Sequence, residues 1–169
     1  QPCDRGQPTR WTRQYVETNQ ELDYRVATRP WQTHVSSLMV LPIVNYNDPV
    51  LRQKGAPIAK FGEDLAQLAE DMVDTMHEAH GIGLAAQQIG QALQFCVIDL
   101  SQAPRKFDWQ LDGNSTPLDL IMPMALVNPK IEFLAGEDTI YEEGCLSFPG
   151  INGDVVRPDQ IRVSFRDVG

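Results

Sequence analysis

The chain has 169 residues, 42% of them hydrophobic, which suits one globular domain with a core of its own, and no apolar run nears the roughly 20 residues that cross a bilayer. Its 23 acidic against 14 basic side chains leave a net charge of -9, so neither nucleic acid nor an anionic membrane is an expected partner, although a local basic patch facing a ribosome stays open. Cys3, Cys96 and Cys145 are odd in number without paired spacing, and no charged-then-apolar leader is visible, which predicts a reducing, cytoplasmic setting.

Residues 1–38 hold five arginines, no lysine and two of the three tryptophans, with no sustained helical or alternating pattern. They read as a disordered or non-native N-terminal extension, with Met39 as the natural start; Asp4, Glu17, Glu21 and Asp23 argue against a transit peptide. Residues 40–46 suggest a short strand, and Asn47-Asp48-Pro49 a turn. From 62 to 80 the apolar positions Leu65, Leu68, Ala69, Met72 and Met76 recur at three and four residues, and acids fill the opposite side. This predicts a helix, with Glu63 and Asp64 at its positive end and Gly81 as its stop. Phe95–Ile98 reads as a buried strand, with Cys96 part of the core. Residues 101–119, rich in Pro, Gly, Asn and Ser, read as an exposed loop; 124–129, 130–134, 139–142 and Ile161–Arg166 read as short strands. The expected fold is α+β, one long helix packed on small, largely antiparallel sheets.

Three stretches carry chemistry. Cys145 lies in Glu142-Glu143-Gly144-Cys145-Leu146-Ser147, between a carboxylate-Gly pair and a polar turn, where a thiolate is open to a metal or a substrate. The run Gly81-Ile82-Gly83-Leu84-Ala85-Ala86-Gln87-Gln88 supplies small residues where a ligand can approach the main chain. The third, His77-Glu78-Ala79-His80, has its histidines three apart rather than four. On a helical wheel both fall beside the apolar stripe, as boundary residues, with metal binding by the pair as the alternative reading.

GIGLAAQQ followed by EEGCLS, in this order and at this separation, resembles the peptide deformylase family, from about Met39 to the last residue. Leu41-Pro42-Ile43-Val44 and Asp48-Pro49-Val50-Leu51-Arg52 share the likeness. The family's HExxH helix does not occur; only 24 residues follow Cys145 (169 minus 145), so the expectation is a deformylase-like domain over 39–169 that is incomplete at its C-terminus and lacks the catalytic helix.

The resemblance implies a hydrolase that removes the N-formyl group from the initiator methionine of nascent polypeptides. It also implies one divalent metal ion, ferrous iron or zinc, held by Cys145 and the two histidines of the missing motif. Gln88 and the main-chain N–H of Leu146 would then stabilise the charge that develops on the formyl oxygen, an amide suiting the task because it donates without bearing charge. The main chain at Ile82, Gly83 and Gly144 would pair with an extended N-formylmethionyl peptide, Tyr141 and Glu143 would flank the methionine pocket, and Arg157 could pair with Glu143. Two other classes compete: a non-catalytic deformylase-like module that binds peptides or another protein, and a cysteine hydrolase, for which no spacing speaks. With one metal ligand in hand, the 169 residues alone are expected to be inactive.

Overall fold

The computed structural model describes residues 13–18 (backbone only), 39–101, 103 and 108–168. Its elements are β1 (Arg13–Thr18), α1 (Glu63–Glu78), β2 (Gly83–Ala85), β3 (Phe95–Ile98), β4 (Asp108–Leu111), β5 (Met124–Phe133), β6 (Asp138–Cys145), β7 (Phe148–Pro158) and β8 (Ile161–Arg166). Six strands form one sheet in the order β2-β3-β5-β8-β1-β4, and β6 and β7 form a separate hairpin. All pairings are antiparallel except those of β1, which runs parallel to β4 and to β8. The α+β class and the one long helix among the described residues agree with the pattern in the sequence. Among the described residues no helix is long and apolar enough to cross a membrane.

The sheet is buried on both faces because its central strands alternate. Phe95 and Val97 of β3, with Ala125 and Val127 of β5, pack on Leu65, Ala69, Met72, Val73 and Met76 of α1. Cys96, Ile98, Met124 and Leu126 point the other way, to Ile121, Met122, Trp109 and Phe165. Met72 and Met76 are fully buried, each contributing about 1.5–3 kcal/mol of transfer free energy, so α1 is fixed to β3 by its own stripe. Burial pushes the Cys96 thiol up to about 11, as befits a core cysteine.

Several expectations give way. Residues 40–46 form no strand but a strap, whose N–H groups bond singly: Leu41 to Thr75 Oγ1 (2.8 Å), Val44 to the Gln88 carbonyl (2.8 Å) and Tyr46 to the Ser147 carbonyl (2.7 Å). The helix begins and ends inside the predicted 62–80. Its stop is His80, at φ 55°, rather than Gly81; the N–H of Gly81 reaches the Met76 carbonyl (2.8 Å) and that of His80 the His77 carbonyl (2.9 Å), a Schellman closure with histidine in the left-handed position. The stretch 101–119 contains β4 and the start of a 3-10 turn at Leu118–Leu120. The two strands expected over 124–134 are one, β5, with a bulge where Asn128 takes φ 52°. No element is predicted before residue 39, yet Arg13–Thr18 forms β1; the rest of that stretch lies outside the described residues.

Candidate functional site

Two local turns bring the chemistry-bearing stretches together. β6 and β7 are joined by the two residues Leu146 and Ser147, with Cys145 paired to Phe148, so Cys145 ends a strand and its sulfur is exposed. After β2 the chain makes a 3-10 turn over Ala86–Ile89, stopped by Gly90 at φ 82°, which places Gln88 over the hairpin turn. Gln88 Nε2 lies 3.8 Å from Cys145 Sγ and 3.4 Å from Ser147 Oγ, while its Oε1 accepts the main-chain N–H of Ala85 at 2.9 Å. That last bond fixes the amide's sense: a main-chain N–H can only donate, so the oxygen faces Ala85 and the NH2 faces the sulfur. The N–H of Leu146 bonds to no described group, and its side chain packs against the α1 core. A Cβ on Gly81 would lie 2.7 Å from Leu146 Cδ1, so the absence of a side chain at 81 lets the leucine seat beside the segment leading into β2.

Of the residues expected to pair with a peptide, Gly83 and Gly144 lie on strands with an open edge among the described residues, whereas the Ile82 carbonyl is turned inward. β2 is the outer strand of its sheet. Asp99 N–H bonds to the Ile82 carbonyl at 3.0 Å, and bonded and unbonded pairs alternate along an antiparallel ladder. Gly83, opposite Ile98, is therefore an unbonded position whose N–H and carbonyl point outward, as does the N–H of Ala85 that meets Gln88. A Cβ on Gly83 would make only ordinary contacts with Val97 O (3.7 Å) and Ile98 Cγ2 (3.8 Å), so the fold itself does not demand glycine there. β6 pairs with β7 alone among the described residues, leaving the edge that carries Gly144 open as well. Tyr141 and Glu143 share the Cys145 face of β6 by alternation.

Glu143 receives a bidentate pair from Arg157, Nε to Oε1 at 2.8 Å and Nη2 to Oε2 at 2.6 Å. The hydrogen bonds from Arg157 hold its carboxyl below the usual carboxylate range, against a smaller opposing effect of burial. None of the histidines bonds to Gln88 or Cys145 among the described residues. His77 Nε2 is 2.8 Å from Asp99 Oδ2, His80 sits past the helix end, and His34 lies outside the described residues. Among the described residues no three His, Cys, Asp or Glu side chains converge as a metal site. Cys145 offers a metal one exposed sulfur. Two participants escape sequence reasoning. Ser147, 4% exposed, stands in the EEGCLS string without a role assigned; Ala85 acts through its main chain, which residue type does not announce.

An outward-facing strand edge, an oriented amide and an exposed thiol thus stand side by side. Residues 40–169 match the family model described as polypeptide deformylase. The chain is 58% identical over 130 residues to a peptide deformylase of Opitutus terrae, covering 76% of this chain and 68% of that one. It is 42% identical over 129 residues to one of Chlorobaculum parvum, covering 76% and 62%. A crystal structure of peptide deformylase from Thermotoga maritima superposes with a TM-score of 0.63 at 33% identity, covering 76% of this chain and 75% of that one. One from Synechococcus elongatus in complex with actinonin gives 0.62 at 36%, covering 79% and 70%. The chain belongs to the polypeptide deformylase family. It spans about two thirds of the length of the curated relatives, 68% and 62% for the two named.

Proposed function

We propose that the chain serves as a peptide deformylase, hydrolysing the formamide bond of N-formylmethionyl peptides as they emerge during protein synthesis in the cytoplasm, with the ribosome as a candidate partner. The observation that carries this is Gln88, whose amide is locked by Ala85 with its NH2 toward Cys145 and Ser147 on the hairpin turn. An extended peptide would add to the open edge through the main chain of Ile82, Gly83 and Gly144, with Tyr141 and Glu143 flanking the methionine side chain and Arg157 holding Glu143 in place. Gln88 Nε2 and Leu146 N–H would then donate to the formyl oxygen as it gains negative charge, a duty for donors fixed beforehand. Cys145 would hold the metal together with the two histidines of an HExxH helix; bound there, ferrous iron or zinc supplies Lewis acidity and an acidified water.

The test is a protein in which the 169 residues are continued by a relative's segment carrying the HExxH helix. Metal content and deformylation of a formyl-methionyl peptide are read together. Cys145→Ala should lose both, whereas Gln88→Ala should keep the metal and lose roughly 10²- to 10³-fold in turnover. Chelator-sensitive deformylation by the 169 residues alone would overturn the proposed ligand set.

A further inference from the structure

Behind the open edge lies a buried carboxylate that the reading above leaves without a task. Asp99, at the exit of β3, is 8% exposed and fully engaged. Its Oδ1 accepts from Ser101 N–H at 2.9 Å and from Ser101 Oγ at 2.6 Å, and its Oδ2 meets His77 Nε2 at 2.8 Å. Its own N–H donates to the Ile82 carbonyl at 3.0 Å. Burial pushes this carboxyl up, but the bonds from Ser101 and His77 outweigh it and hold the group below the ordinary carboxylate range.

The placement of these bonds matters more than their number. His77 belongs to the last turn of α1, and after the closure at His80 only Gly81 precedes Ile82. The segment entering β2 therefore hangs between two anchors, the helix end on one side and the Asp99 N–H on the other. The His77–Asp99 pair, joining residues 22 apart, ties the anchors to each other. Without it, the helix end and the β3 exit are joined only through the segment itself and through packing between α1 and the sheet.

We propose that His77 and Asp99 form a clasp that fixes Ile82 and Gly83 for an incoming peptide, making both positioning residues that touch no substrate. This rests on the reading of the β2 edge as the peptide-binding edge. The test uses the full chain with His77→Ala, His77→Gln and Asp99→Asn, reading amide exchange by NMR at Leu84 and at Asp99, whose N–H holds the Ile82 carbonyl, and titrating a formyl-methionyl tripeptide. His77→Ala should speed exchange and weaken the tripeptide by about threefold each, the scale of a half-exposed charge pair, and for the same reason should move the melting temperature little. His77→Gln retains a side-chain N–H donor and should recover both; Asp99→Asn, with the same shape, should resemble His77→Ala. Unchanged exchange in His77→Ala, or faster exchange with unchanged affinity, overturns the clasp. If the unaltered chain fails to bind the tripeptide, the reading of β2 as the peptide-binding edge fails, and the exchange rates alone decide whether the clasp holds that edge.

Discussion

His80 shows what a single residue can be asked to bear. It holds a left-handed backbone, at φ 55°, where glycine is the usual occupant, and Gly81 follows immediately. The sequence points to Gly81 because Gly commonly closes helices; the contact of Leu146 with position 81 explains why that glycine is used for close approach instead. The left-handed conformation costs an ordinary L-residue about 1–2 kcal/mol, less for histidine than for a β-branched side chain. His80→Gly should accordingly be neutral or stabilising, and His80→Val should be less stable than His80→Gly by about 1–2 kcal/mol, measured by urea unfolding. Equal stabilities would mean that the helix does not close at residue 80. Gln88 is legible at this scale as a candidate from its string, but its orientation is not, because the deciding donor is a main-chain N–H three residues earlier.

Among elements, α1 is the most legible, since a period of 3.6 is written in its apolar side chains and little else competes. The hairpin is the least. In β7, Gly150, Asn152, Gly153 and two prolines mask an eleven-residue strand, and its exposed positions leave no apolar alternation to read. What holds it is cross-strand pairing, including Glu143 with Arg157. The Glu143 carboxyl is depressed in the folded state, so its contribution is complete above the unfolded value of about 4.3 and fades as pH falls through the lower folded value. Both partners are substantially exposed, which confines the effect to roughly 0.2–1 kcal/mol. Amide exchange in β6 and β7 should accordingly quicken on acidification, and Glu143→Gln should flatten that response. A variant that keeps the full acid dependence would assign it to other carboxylates.

At the scale of the molecule, every described side chain of the two hydrophobic clusters comes from residues 41 to 168. Removing residues 1–38 takes away β1, which lies between β8 and β4, but none of those side chains. A chain beginning at Met39 should keep cooperative unfolding and native near-UV dichroism, with faster exchange confined to β4 and β8. Loss of cooperativity would make the N-terminal stretch part of the core. The sequence could not reveal β1, because a parallel strand between two others is specified by partners more than 90 residues downstream, Asp108 being 95 residues after its partner Arg13 (108 minus 13). The strap over 39–46 carries the same long-range logic into the site. Its three bonds reach α1, the Gln88 turn and the hairpin turn, the last joining Tyr46 to a residue 101 positions later (147 minus 46). Synthesis proceeds from the N-terminus, so the strap is made first and waits for its last partner while the whole sheet core between them is being translated. The amide and the sulfur are brought to their final spacing only when that wait ends, which makes the pairing of Gln88 with Cys145 one of the last things this chain builds.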